Sequence, residues 1–416
     1  MIGAPGAEPP IAAPVSYLQV LRTPQALRVF LPALLGRLSF AMVTLALLFA
    51  VQGSTGSFAV AGLATGAFGL ANVLASPYRA RLVDRWGQRL TLNSLAAAFA
   101  LGLVGIAAVT AQPRPSGVVV ALLAAVTGLC SPPLGAAMRV LWGTITRTPA
   151  ARRRAYSVDA VAEEVLFTTG PLLVALLITA TSATVALSVT AAIAVVGTLG
   201  LTSSRVSRAV APALVPAASS SRPLRQPGFR PVLVALLGVG IVLGVVEVTA
   251  PAIAVSVGSA GLAGVLMAAF AAGSAVGGLL YGRREWATPL PRRLIVLAGS
   301  MAALTGLIAW APGVVALAIG LAAVGFFLAP SLVTGYLLAD DLTAPEVRTE
   351  ASSWINTAVN TGAAFAAAAA GVAVDAVTAS AALAGGAIAA ALCLLGAAPF
   401  LIGRRAAVPV TPGSGS

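Results

Sequence analysis

The chain has 416 residues, of which 59% are hydrophobic and 9% are charged, and its formal net charge is +13. Because a soluble domain carries about 25% charged residues, this composition excludes a water-soluble globular protein. The 25 basic residues are all arginines and histidine is absent, which excludes a lysine-dependent ATP-binding loop and imidazole-ligated metal or haem. We therefore expect no cofactor, no metal site and no catalytic residues.

Twelve apolar runs follow one another along the chain, and most approach or exceed the roughly 20 residues that a helix needs to cross a bilayer. The alternating pattern of a transmembrane β-barrel is absent, so the sequence predicts an all-α membrane protein of twelve helices. The runs lie at about 29–51, 57–78, 91–111, 117–141, 158–180, 184–203, 231–255, 260–281, 294–311, 313–338, 350–374 and 379–402.

The runs divide the chain into two six-helix bundles. We expect an N-terminal cytoplasmic segment over 1–28, a first bundle over 29–203, a basic cytoplasmic linker over 204–230, a second bundle over 231–403 and a disordered tail over 404–416.

The arginines lie almost entirely in the connections on one side of the membrane, and the opposite side has only Arg114. This bias predicts that both termini are cytoplasmic, which agrees with an even number of helices. It also explains the net charge without nucleic acid as a partner. We expect a multi-pass protein of the inner or plasma membrane that functions as a monomer.

The two bundles share weak internal similarity. Residues 128–133 in the fourth run read Gly-Leu-Cys-Ser-Pro-Pro, and residues 325–330 in the tenth run read Gly-Phe-Phe-Leu-Ala-Pro, with Gly and Pro at the same spacing. Parallel repeats of this kind are typical of one transporter architecture, in which two pseudo-symmetric six-helix halves pack side by side.

The connection after the second run carries the most specific motif. Residues 80–89 read Ala-Arg-Leu-Val-Asp-Arg-Trp-Gly-Gln-Arg, which resembles the pattern G-x-L-a-D-R-x-G-R-[RK] that major facilitator superfamily transporters carry between their second and third helices. Ala80 replaces the leading glycine and Gln88 replaces a basic residue. The positions that match are Leu82, Asp84, Arg85, Gly87 and Arg89.

This resemblance implies a gate on the cytoplasmic side. A carboxylate flanked by guanidinium groups can pair with the helix end and charges of the other half, and we expect Glu346, Arg348 and Glu350, at the start of the eleventh run, as the partners. The alternative is that these charges are solvated and only anchor the loop.

A Gly170–Pro171 pair in the fifth run resembles a reduced form of the glycine/proline motif of the family's drug/proton antiporters. The resemblance favours export. The alternative is that the pair only allows a helix kink and close packing.

Ionisable groups inside membrane spans are costly and are therefore functional candidates. Arg37 lies near the middle of the first run and Glu247 near the middle of the seventh. In the family the first and seventh helices line the central cavity, so the two side chains are expected to face each other there. Glu247 could then bind a coupling proton or the substrate; the alternative is a static ion pair.

Arg139 in the fourth run forms a second candidate group with acids of the fifth run. Asp159 and Glu163 are four residues apart and share a helix face, and Glu164 follows directly. Arg139 resembles a fourth-helix arginine that the family's antiporters associate with proton transfer, although an interfacial salt-bridge cluster fits equally well.

Three uncharged polar residues complete the candidate cavity: Tyr336 in the tenth run and Asn356 and Asn360, one turn apart, in the eleventh. They can hydrogen-bond a polar ligand or a neighbouring helix.

The resemblance and the composition together imply a secondary transporter that moves a small molecule by alternating access, with protons as the coupling ion and export as the direction. A proton-linked nutrient importer is the alternative. A non-transporting membrane sensor on the same fold is a further one.

Overall fold

The computed structural model describes residues 17–146, 148–210, 223–226, 228–283, 286–343 and 348–402. Within these ranges the chain forms sixteen α-helices and a short 3₁₀ helix at Pro223–Arg225. The helices are α1 (Tyr17–Leu21), α2 (Ala26–Thr55), α3 (Phe58–Trp86), α4 (Gln88–Thr110), α5 (Gly117–Leu129), α6 (Leu134–Ile145), α7 (Pro149–Ala180), α8 (Ala183–Thr202), α9 (Arg205–Ala209), α10 (Phe229–Ser256), α11 (Gly261–Arg283), α12 (Leu290–Ile308), α13 (Val314–Phe326), α14 (Leu328–Leu342), α15 (Arg348–Ala376) and α16 (Ala379–Ile402).

Twelve stretches of the described chain are long and apolar enough to cross a membrane. Ten of them are single helices. The fourth span consists of α5 and α6, and the tenth consists of α13 and α14, so each half has one interrupted span. The prediction of an all-α protein with twelve spans is confirmed.

Several threonine hydroxyls within the spans donate to a carbonyl of their own helix, because the bilayer core offers no water to accept the hydrogen bond. The hydroxyl of Thr65 donates to the carbonyl of Ala61, and that of Thr249 donates to the carbonyl of Val245 at 2.8 Å. This back-bonding allows threonine to lie deep in a span without a partner on another helix.

The internal repeat is visible in how the interrupted spans pack. Gly128 at the end of α5 lies against the carbonyl of Phe68 on α3, and Gly325 at the end of α13 lies against the carbonyl of Phe270 on α11. A Cβ at either glycine would overlap that carbonyl oxygen. The same close approach therefore recurs in both halves, at the residues that the sequence comparison aligned.

Because twelve spans bring both chain ends to the same side, the bundle has two distinct faces. We call the side of the chain ends the terminal face and the opposite side the distal face. The distal face carries the connections at residues 56–57, 111–116, 181–182, 257–260, 309–313 and 377–378.

The two halves meet next to the distal face. Gly62 on α3 packs against Ala367 and Gly371 on α15, and Gly264 on α11 packs against Ala175 on α7. Such small residues let helix backbones approach closely. The structure is therefore an arrangement in which the halves are in contact at the distal face.

Candidate functional site

A cavity of about 330 Å³ lies between the two halves. Helices α2, α3 and α7 line it from the first half, and α10, α11, α14 and α15 from the second. Its wall is mostly apolar, with a few polar groups, as in typical small-molecule sites. The aromatic lining residues are Phe40, Phe68, Phe167 and Phe270, and the polar ones are Thr44, Thr65, Asn72, Glu247, Ser274 and Asn360.

Glu247, on α10, is the acidic residue of this lining. Among the described residues it makes no ion pair, whereas Asp159 and Glu163 both bind Arg37. A carboxyl group in an apolar wall without a cationic partner can take up a proton or bind a cation.

Arg37 does not face Glu247 as the sequence analysis expected. Its guanidinium binds two carboxylates of α7: Nη1 lies 2.8 Å from Oδ1 of Asp159, and Nη2 lies 2.7 Å from Oε2 of Glu163. Arg37 and Asp159 are almost fully buried, at 8% and 5% side-chain exposure, whereas Glu163 is 42% exposed. The rotation of α2 about its axis, which hydropathy does not reveal, turns Arg37 towards α7.

Arg139 lies beside this ion pair, as its spacing suggested. A Cβ built on Gly135 of α6 would lie 3.8 Å from Nε of Arg37 and 4.0 Å from an Nη of Arg139, so the two guanidinium groups converge there. Arg139 is also close enough to Asp159 and to Tyr336 to act on both electrostatically. Two arginines therefore face two described carboxylates; the side chain of Glu164 lies outside the described part.

Tyr336, Asn356 and Asn360 form a hydrogen-bonded chain in the second half. The hydroxyl of Tyr336 on α14 donates to Oδ1 of Asn356 on α15 at 2.8 Å, and Nδ2 of Asn360 donates to the carbonyl of Asn356 at 2.7 Å. The Tyr336–Asn356 hydrogen bond joins α14 to α15, which is the contact with a neighbouring helix that the sequence analysis gave as one of two roles for these residues. Because Asn360 also lines the cavity, this chain connects the cavity with the charged cluster.

The gate motif lies at the terminal face, between α3 and α4. Gly87 has a φ of 79°, which lets α3 end and α4 begin without a longer loop. Leu82 accepts a hydrogen bond from the hydroxyl of Thr91 at 3.1 Å through its carbonyl, and Arg85 and Arg89 are exposed.

The charged partners of the expected gate lie outside the described part of the structure. This applies to Glu346 and to the side chains of Asp84, Arg348 and Glu350. The gate therefore remains a prediction.

A contact that the sequence analysis missed joins the halves at the distal face. Asp375, near the end of α15, accepts hydrogen bonds from the backbone N–H groups of Phe58 and Ala59 at 2.9 and 2.8 Å. The hydroxyl of Ser57 donates to the same carboxylate at 2.5 Å. A carboxylate of the second half thus caps the first turn of α3 in the first half, where the helix dipole favours negative charge. In the sequence, the signal that could have indicated this contact is a single acidic residue, Asp375, directly after the eleventh apolar run.

Arg79 directly follows the second apolar run and so belongs by sequence to the arginines of the terminal face, but its side chain is buried, at 5% exposure. Its terminal nitrogens donate to the carbonyls of Gly128 and Asn72 at 2.8 and 2.7 Å, and to the side chain of Asn72 at 2.8 Å. It therefore satisfies the end of α5, where the fourth span is interrupted and the carbonyls lack partners.

Gly170 and Pro171 lie where α7 passes α2. A Cβ at Gly170 would lie 2.8 Å from the Cβ of Ala41, so the position requires a residue without a side chain. Pro171 lines the cavity. Gly170 therefore allows the close packing of α7 on α2, and the relation of the pair to an antiport motif stays a prediction.

Comparison with known proteins assigns the family. The profile of the Major Facilitator Superfamily matches residues 29–283, which is more than half of the chain. The chain therefore belongs to this superfamily, whose members are membrane transporters and not enzymes.

Solved structures agree with this assignment. A variant of the nucleoside transporter NupG superposes with a TM-score of 0.75 at 12% identity, covering 90% of this chain and 99% of that one. A second NupG structure gives 0.66 at 14% identity, covering 89% and 99%. An autoinhibited peptide transporter of the POT family gives 0.59 at 14% identity, covering 93% and 98%. No curated protein matches the sequence.

Proposed function

We propose that this transporter exports a small molecule in exchange for protons and that Glu247 carries the coupling proton. The observation that carries the proposal is the position of Glu247 in the wall of the central cavity, without an ion-pair partner among the described residues. Asp159, a buried acid of α7, is held by Arg37. A carboxylate beside a guanidinium group keeps its charge more readily than one in an apolar wall, which favours Glu247 as the group that gains and loses a proton.

The cavity supports a substrate that is largely apolar and aromatic. Its volume of about 330 Å³ is at the lower end of typical ligand sites. A compound with an aromatic ring could stack on Phe40 or Phe167, the lining aromatic residues with exposed surface, while Asn72 and Asn360 could hydrogen-bond its polar groups. If the substrate is cationic it would compete directly with the proton for Glu247, which is a simple basis for antiport.

Alternating access would follow from two helix caps between the same two helices, α3 and α15, one at each face of the bundle. In the structure Asp375, near the end of α15, caps the start of α3 and holds the distal face together. Asp84, near the end of α3, would cap the start of α15 when the terminal face closes. With the orientation that the arginine bias favours, an arrangement joined at the distal face would correspond to the state closed towards the outside.

Export rests on the partial Gly170–Pro171 motif, and import remains the alternative. NupG is a nucleoside transporter, and a nucleoside would fit a cavity lined by aromatic and amide side chains. At 12–14% identity these structures show a shared fold, so nucleosides enter only as a candidate substrate for testing.

Vesicles of defined orientation distinguish the two directions. Ethidium, an aromatic cation, and radiolabelled uridine, a neutral nucleoside, are offered to inside-out and right-side-out vesicles under an imposed pH gradient. Export predicts gradient-driven uptake of ethidium into inside-out vesicles. Uptake of uridine into right-side-out vesicles that depends on an inward proton gradient would instead establish the importer.

A further inference from the structure

A second cavity, of about 500 Å³, lies at the terminal face on the outside of the first half. It lies where α3 ends and α4 begins, against the short helix α9. We call it the α4–α9 pocket. Its described lining residues are Trp86, Gly87, Gln88, Arg89, Leu90, Asn93, Ser94, Ser207, Arg208 and Val210.

The α4–α9 pocket is positively charged. Arg89 and Arg208 both line it, and the described lining contains no carboxylate. Arg208 bonds only through Nε, which donates to the carbonyl of Ser204 at 3.4 Å, so its terminal nitrogens make no hydrogen bond within the described part. Guanidinium groups with free terminal nitrogens are suited to phosphate oxygens.

Neutral hydrogen-bond donors add to this charge. The amide oxygen of Asn93 already accepts a hydrogen bond from the hydroxyl of Thr202 at 2.8 Å, and the nitrogen of the same amide has no described partner. Ser94 is exposed in the same wall. The two sides of the pocket are joined, because the hydroxyl of Ser207 on α9 donates to the buried side chain of Gln88 on α4 at 3.0 Å.

The α4–α9 pocket opens onto the surface of α4 that faces lipid. Exposed residues recur on one side of this helix with helical spacing: Leu90, Ser94, Ala97, Leu101, Val104 and Ala108. In a membrane-spanning helix such an exposed and mainly apolar stripe contacts acyl chains. Trp86, which is 53% exposed, lies at the rim, where tryptophan commonly marks the membrane interface.

We propose that the α4–α9 pocket binds the phosphate headgroup of an anionic phospholipid, with Arg89 and Arg208 as its charged ligands and the stripe of α4 along its acyl chains. Two guanidinium groups in one pocket attract an anion, and the phosphate of a lipid is the anion that is present at this depth. The adjoining apolar stripe favours a lipid over a free phosphate ion, because a free ion would gain nothing from it. The inference is independent of the transported substrate.

Native mass spectrometry of the purified protein, titrated with phosphatidylglycerol or with phosphatidylcholine, tests this directly. The variants are R208Q, which leaves the gate motif intact, and the double variant R89Q/R208Q. The matched control is R205Q, because Arg205 is exposed on the same helix α9 and does not line the pocket. Melting temperatures in lipid-free detergent show which variants are folded. If the double variant is unfolded, the lipid binding of R208Q alone tests the proposal.

We expect phosphatidylglycerol to bind more tightly than phosphatidylcholine, and R208Q to weaken that binding several-fold. The double variant should weaken it about tenfold or more, since each basic side chain near an anionic surface strengthens binding about fivefold. R205Q should bind as the natural chain does, and millimolar inorganic phosphate should not displace the lipid. Equal binding of both lipids, an equal effect of R205Q and R208Q, or full displacement by inorganic phosphate would each overturn the proposal.

Discussion

The carboxylate of Asp375 accepts a hydrogen bond from the backbone N–H of Phe58 at 2.9 Å, although the two residues belong to opposite halves of the molecule. A helix start in one half is therefore capped by a side chain of the other. Rocking of the halves must break this contact, so its strength contributes to the balance between the two states of a transport cycle.

Replacing Asp375 with alanine should shift the molecule towards states that are open at the distal face. The loss of a cap costs about 0.5–2 kcal/mol, which changes the ratio of two states by roughly 2- to 30-fold. The measurement is the distance between spin labels at Gln112 and Pro312, exposed residues of the distal connections of the two halves, in a background without Cys130 and Cys393.

Thr378 provides the matched control for this experiment. Its hydroxyl accepts from the N–H of Ala381 at 3.0 Å and caps α16 within the second half only. T378A should leave the label distances unchanged, whereas D375A should add a longer distance. If D375A and T378A gave the same distribution, Asp375 would not hold the halves together.

We expect the buried Arg37–Asp159 pair to contribute more to stability than the contact of Arg37 with the exposed Glu163. Removing the guanidinium of Arg37 leaves Asp159 buried with its direct ion-pair partner gone, which typically costs about 3–5 kcal/mol. We expect R37Q to lower the melting temperature strongly and E163Q to lower it much less, since Glu163 is 42% exposed and Asp159 only 5%. Thermal unfolding of the purified variants measures this; equal losses for R37Q and E163Q would contradict it.

Close packing at the interrupted spans should tolerate no added methyl group. G128A and G325A place a Cβ against the carbonyls of Phe68 and Phe270, and overpacking of this kind costs about 1–3 kcal/mol. G143A is the control, because a Cβ there meets no atom within 4 Å. The melting temperature should fall for the first two variants and not for the third. A lowered value for only one of the first two would argue against equivalent packing in the two halves.

Much of the architecture follows from hydropathy and the arginine distribution, because the bilayer requires long apolar helices and repels charge. The site is less accessible to such reasoning. The sequence gives the depth of Arg37 in its span but not its direction, and its main partner Asp159 lies 122 residues away. Arg79 resembles a surface charge until the interruption of the fourth span supplies carbonyls for it, and Asp375 resembles a solvated residue until α3 is placed beside it. Each depends on how helices are rotated and paired.

The proton coupling assigned to Glu247 is tested most directly in proteoliposomes. Substrate accumulation under an imposed pH gradient is compared with substrate exchange at equal pH on both sides, for the natural chain and for E247Q. S274A serves as a control that alters the cavity wall and retains the carboxyl group. The account predicts that E247Q still exchanges substrate but no longer accumulates it with the gradient, whereas S274A accumulates it. Gradient-driven accumulation by E247Q at the level of the natural chain would contradict the account.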